Sequence, residues 1–169
     1  MKQIQLVPLQ GAGKLAFGMS RSDVEKEMGK PFRRFRENEE LLPDEPLIDS
    51  YFDDQWKIFY DENDQVEYME FSAFRSEDLK VMFEQIDIFT VPAEGLVSTF
   101  ESVCGKTCDE ELSNQPYSFV FGELELQLWR SVIPEDYEPI EPDDEYGKGE
   151  FFTHLGVGRK GFFTEENAD

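Results

Sequence analysis

Phenylalanine is the residue this chain has to hide. Sixteen Phe, with six Tyr and two Trp, stand in 169 residues of which 32% are charged. A chain that charged stays unfolded unless it buries enough apolar area, and aromatic side chains carry the most area per residue. The aromatic content therefore argues for a packed core. The length suits one domain over residues 1–169, with a frayed tail at 164–169.

The charge is unevenly placed. Residues 1–36 hold 8 bases and 3 acids, a net of +5, so residues 37–169 carry −27 of the total −22. A surface this acidic repels nucleic acid and anionic membrane and attracts cationic proteins. Plain solubility is the competing account of the same charge. The start, Met1 to Pro8, lacks the apolar stretch and cleavage site of a signal peptide. No apolar run approaches the roughly 20 residues that span a bilayer. The expectation is a soluble, cytoplasmic protein.

The clearest local signal runs from Gly18 to Pro31. Ser20 is placed to cap a helix, and Asp23 stands where a capping box wants a carboxylate. Gly29 suits the left-handed position after the last turn, and Pro31 prevents continuation. A second helix is expected from near Pro92, with Leu96, Phe100 and Val103 at helical spacing and Gly105 as its stop. Strands are expected at Trp56–Tyr60, Val66–Ala73, Tyr117–Phe121, Leu124–Leu128 and Phe151–Val157, and Leu79–Phe83 reads as a strand in preference to a helical turn. In the return strand, Val66, Tyr68 and Glu70 fall on one face and Met69 and Phe71 on the other. Residues 37–54, rich in acid and carrying Pro43 and Pro46, read as a loop.

The segment from Val24 to Lys30 matches Phe100 to Lys106 at a displacement of 76 residues, and each is followed by an apolar strand pair. The fold class is therefore α+β: an antiparallel sheet with two short helices on one face, with 15–89 and 90–163 as possible tandem units.

Chemistry-bearing motifs are sparse. His154 is the only imidazole, and it sits inside a strand, so a Ser–His or Cys–His pair has one possible base. Cys104 and Cys108 lack metal-site spacing and read as reduced structural thiols. Asp53 with Asp54, and Asp143 with Asp144, are pairs that a divalent metal enzyme with an acidic cleft would use, but solvated acidic turns are the better account of them. Arg33, Arg34 and Arg36 form a basic patch expected to pair with the acids of 37–54. Trp56 and Trp129 are expected in the core.

The most suggestive stretch is 134–146. Glu135, Asp136, Glu138, Glu141, Asp143, Asp144 and Glu145 stand there with Tyr137, Ile140 and Tyr146, and no base is present. Acids steer a basic partner and tyrosines anchor it, while Pro134, Pro139 and Pro142 lower the ordering entropy of binding. Together with Asp53 and Asp54, these residues form the candidate partner-binding set; no catalytic residue, metal ligand or cofactor is assigned. A general interaction module is the third reading.

The Gly18–Pro31 helix signature, the strand pair ending at Glu67–Phe71, the Ile86–Phe89 stretch before the second helix and the closing Phe151–Gly161 segment resemble small immunity proteins of bacterial polymorphic and contact-dependent toxin systems. The resemblance implies a cytosolic, non-catalytic inhibitor that binds a cognate toxin. Such toxins are often nucleases with basic clefts, which the −27 portion would complement.

Overall fold

The computed structural model describes residues 2–37, 44–73, 79–136 and 149–165. Helix α1 spans Arg21–Met28, and Ser20 caps it by accepting from the Asp23 amide. Val24 is its buried contact. Helix α2 spans Ala93–Cys104, begins after Pro92 and ends at Gly105 in the left-handed conformation. Ala93, Leu96 and Phe100 form its buried stripe, whereas Val103, expected on that stripe, is exposed.

The strands form two sheets. The larger contains β4 (Arg33–Phe35), β5 (Ile48–Tyr51), β6 (Trp56–Tyr60), β7 (Val66–Ser72), β10 (Ser118–Phe121), β11 (Leu126–Trp129) and β12 (His154–Gly158). Its order is β10-β11-β12-β7-β6-β5-β4, and every pair is antiparallel. The smaller contains β1 (Lys2–Val7), β2 (Gly11–Ala12), β3 (Leu15–Ala16), β8 (Leu79–Phe83) and β9 (Ile86–Asp87), in the order β3-β2-β1-β8-β9. Here β1 and β8 run parallel, a pairing between segments far apart in sequence. The fold is α+β and dominated by antiparallel sheet.

The interior face of the large sheet is built in rows by strand register. Trp56 faces Phe71, Phe71 faces Leu155, and Leu155 faces Leu128; the next row is Ile58, Met69, Val157 and Leu126. All eight side chains are 0% exposed. Val24, Leu96, Phe100, Ile4, Leu6, Val81 and Phe83 join the same cluster, so both helices and the small sheet cover this one face. Trp56 lies in the core as expected, stacked against Phe71 at 5.1 Å. Trp129 does not: it lies half-buried on the opposite face, stacked flat on His154 at 4.8 Å.

Two further departures have local causes. A register shift at Phe59/Tyr60 leaves Glu67 as the extra residue of a bulge. The bulge turns Val66 into the core, away from the face shared by Tyr68 and Glu70. Strand β5 lies inside the stretch read as a loop. Its Asp49 is fully buried, accepts from both Arg34 Nε and Arg34 Nη2 and from Tyr60 Oη (3.0 Å), and lies 3.0 Å from Arg21 Nη1. Arg33 pairs with Asp54 at 2.6 Å, and Arg36 donates to the Glu45 carbonyl. The basic patch is thus satisfied by the acidic stretch, as the sequence suggests.

The far edge, β10, is sealed by its own upstream segment. Ser113 Oγ accepts from the Val120 amide, the Asp109 amide donates to the Val120 carbonyl, and Asn114 bridges Ser118. Cys104 and Cys108 are free thiols.

Asp49→Ala leaves two arginines and a tyrosine around an empty site, and removing one partner of a buried ion pair costs about 3–5 kcal/mol. Urea denaturation should show a loss of that size. A loss below about 1 kcal/mol would mean that the network contributes little to stability.

Candidate functional site

Strand direction decides where the candidate residues go. The β5–β6 turn, the last residue of β7, the first of β12 and the last of β11 all lie at one end of the large sheet. The pairs Ser72–His154 and Trp129–His154 mark that end, and the Ser72 amide donates to the Gln55 carbonyl. Asp53 and Asp54 occupy the β5–β6 turn. Glu135 and Asp136 occupy a 3-10 turn, Pro134–Asp136, that follows β11. The described members of the expected binding set therefore share one end of the sheet. Tyr137, Glu138, Glu141, Asp143, Asp144, Glu145 and Tyr146 lie outside the described residues.

The β5–β6 turn is strained. Phe52, Asp53 and Asp54 have φ of 53°, 54° and 67°, three consecutive non-glycine residues in the left-handed region. Each such residue costs roughly 1–2 kcal/mol, somewhat less for Asp. The turn is held by the Gln55 amide bonding to the Phe52 carbonyl, by Phe52 stacking on Trp56 and by the Lys2 ammonium over the Phe52 ring. Asp54 accepts from Arg33 and Ser50. Burial pushes its carboxyl up, but these two hydrogen bonds together with the Arg33 and Lys57 charges outweigh burial and leave it below the usual range. Asp53 projects into solvent.

In the second turn both acids are exposed, and Asp136 is nevertheless bonded. Asp136 accepts from Tyr117 Oη at 3.0 and 3.2 Å and from the Ile133 amide, while Glu135 is exposed. The bond to Asp136 raises the Tyr117 hydroxyl above its ordinary value. Arg130, 5% exposed, binds the Gly149 carbonyl at 2.6 Å and the Pro116 carbonyl at 3.2 Å. It thus fixes position 149 against β11.

The sheet also assembles a group that sequence reasoning missed. On its outer face Lys57 lies 3.2 Å from Glu70 and 3.9 Å from Glu37. Burial raises the Glu70 carboxyl, an effect that Lys57 opposes. Diagonally across the same face, burial, aided by the Lys57 charge, lowers His154 to about 4. Strand alternation carries this signal, because 57, 70 and 154 share the parity opposite to the core rows, but only the register places them together.

Among the described residues, no three His, Cys, Asp or Glu side chains are grouped to hold a metal ion. The Asp61 turn, which superficially suggests a calcium loop, uses its carboxylate on the Asn63 and Gln65 amides. No helix is long and apolar enough to cross a membrane among the described residues. Comparison with protein-family models, with curated proteins and with solved structures finds no match to this chain.

Two measurements test this geometry. Asp53→Gly relieves a left-handed position and should stabilise the fold by about 1 kcal/mol in urea denaturation, unless the turn is relaxed in solution. The His154 value in the folded state lies below that of the unfolded chain, so only the unfolded chain takes up a proton between about pH 6.5 and 4. Stability should fall across that window as pH drops and gain no further loss from this group below it. Because the ring is partly exposed, the contribution is discounted to about 1–2 kcal/mol. The difference between the parent and His154→Gln, followed from pH 7 to 4, isolates it; parallel curves would remove His154 as the cause.

Proposed function

We propose that this chain is a non-catalytic, acidic binding protein of the cytoplasm that neutralises a cationic protein, in the manner of an immunity protein that binds its cognate toxin. The observation that carries this reading is the placement of Asp53 and Glu135 at one end of the sheet. Their neighbours Asp54 and Asp136 are tied down, while they remain exposed. The acidic 137–146 segment follows directly from the second turn and adds five carboxylates and two tyrosines. Fixed acids steer a basic surface and hold their geometry at little entropic cost. The basic N-terminal patch, which would oppose such a partner, is neutralised within the fold.

Affinity capture from source-cell lysate, at low and at moderate salt, should retain one stoichiometric basic protein. With that partner purified, neutralising Asp53, Glu135, Asp143 and Asp144 together should weaken binding at least about tenfold, chiefly through a slower on-rate and a shallower salt dependence. The partner's toxic activity should fall when the parent chain is added. An unchanged Kd in the quadruple variant, or a partner that is itself acidic, would overturn the reading.

A further inference from the structure

On its outer face the large sheet is ruled in rows, as it is inside. One row reads Ser72, His154, Trp129 and Ser118, the next Lys57, Glu70, Gly156 and Gln127, and the third Phe59, Tyr68 and Gly158. The first and third carry rings. Trp129 and His154 are cross-strand neighbours whose centroids lie 4.8 Å apart, which is the spacing of the strands. Their ring edges therefore face along the strands, toward the middle row. Tyr68 is covered by Phe162, stacked at 4.7 Å, and Phe59 meets it edge-on at 5.1 Å. Between the ring rows Gly156 contributes no side chain. The ring rows stand four residues of β12 apart, about 14 Å, and the middle row is a trough across the strands.

Tyr68 is the unusual member. It is 9% exposed, and its hydroxyl lies directly over Gly156, 2.0 Å from where a Cβ would stand. That hydroxyl makes no hydrogen bond among the described residues, yet it is not sealed from solvent. A polar group so nearly buried normally has a partner, because an unmade bond costs its desolvation in full. Its neighbours also keep unused capacity. Gln127 donates its amide to Ser118 Oγ at 2.8 Å and leaves its carbonyl oxygen unbonded. Glu70 gives one oxygen to Lys57 at 3.2 Å and keeps the other. The Trp129 indole N–H, half-buried, makes no hydrogen bond among the described residues. Glu70 and Gln127 flank Gly156 from the adjoining strands, about 10 Å apart.

We propose that this trough binds a neutral sugar ring, free or at the end of a glycan. Each hydroxyl of a sugar both donates and accepts. The trough sets two acceptors, Glu70 and Gln127, beside one donor, Trp129, and one group that does both, Tyr68. The electropositive ring edges of Trp129 and His154 suit oxygen atoms at the wall. Lys57 balances Glu70, and Glu37 at the rim adds to the acidic field of the chain, so phosphorylated and acidic sugars are disfavoured. A few convergent polar groups between aromatic walls are the ordinary composition of a small-ligand site. The trough goes beyond the proposed function and does not rest on it, since neither acidic turn contributes to it.

The test titrates the full chain, ¹⁵N-labelled, with the methyl glycosides of glucose, mannose and galactose. Glucuronate is the acidic control, and cyclohexanol is a ring without the hydroxyl set. At least one glycoside should give saturable shifts at the Gly156 and Gln127 amides and the Trp129 indole N–H, glucuronate weaker ones and cyclohexanol none. Tyr68→Phe keeps the ring and its Phe162 stack and removes only the hydroxyl. Because that hydroxyl holds nothing in the fold, the variant should keep the parent's urea midpoint and bind about fivefold or more weakly. Gln127→Ala should weaken binding to a similar degree. No saturable shift with any glycoside, equal binding of cyclohexanol, or unchanged affinity in Tyr68→Phe overturns the proposal. So does a lowered midpoint in Tyr68→Phe, since the hydroxyl would then serve the fold. Tighter binding of the matching disaccharide would place the ring at the end of a glycan, and equal affinity would make it a free sugar. Sugar binding with no protein retained in the capture experiment would sink the immunity reading and leave the trough standing; the converse result would sink the trough alone.

Discussion

The antiparallel pairing of β7 with β12 is the contact on which the rest of the structure depends. It sits at the centre of the seven-stranded sheet and joins the strands that follow α1 to those that follow α2. On the inner side it aligns Phe71 with Leu155 and Met69 with Val157, so that the core rows run unbroken from β6 to β11. On the outer side it depends on two glycines. A Cβ on Gly156 would lie 2.0 Å from the Tyr68 hydroxyl, and one on Gly158 would lie 2.4 Å from Phe162. Tyr68 therefore lies across β12, and Phe162 stacks on it at 4.7 Å, which fastens the C-terminal turn to the sheet. Neither close approach survives a side chain at those positions.

Charge is sorted by the same framework. A net charge of −22 opposes compaction through self-repulsion. The fold answers by giving several acids defined donors. Asp49 holds Arg34 and Arg21 at the base of α1, Asp54 holds Arg33, and Glu125 holds the turn after β12. Three of the eight bases in residues 1–36, Arg21, Arg33 and Arg34, are held in these contacts, which tie the +5 segment to acids of the −27 remainder. The acids without such donors, Asp53 and Glu135 among them, are left at the surface.

How far the sequence discloses this depends on the range of the interaction. The α1 cap at Ser20, the Gly105 stop of α2 and the strands at 56–60 and 66–72 are legible because each is set by residues close to it in sequence. Trp129 misleads for the opposite reason. Alternation along β11 shows that it opposes Leu128 in direction, but which face is interior is settled by strands 30 to 70 residues away in the chain. The Glu67 bulge and the parallel β1–β8 pair are likewise non-local, and so is Asp49, whose setting looks like a loop until Arg21, Arg34 and Tyr60 converge on it. The acidic turns were visible as composition; that two of them share one end of the sheet was not.

The strained β5–β6 turn shows what that placement requires. An ordinary hairpin would use Gly or Asn at left-handed positions, yet here Phe52, Asp53 and Asp54 take them in succession. Phe52 is held by Trp56, and Asp54 by Arg33 and Ser50, so the contacts on either side over-determine the conformation of the residue between them. Asp53 is therefore a solvated acid on a backbone fixed by its two neighbours. The contacts of Phe52 and Asp54 order its backbone in folding. A surface charge on a fixed backbone loses less entropy on meeting any partner than one on a free loop.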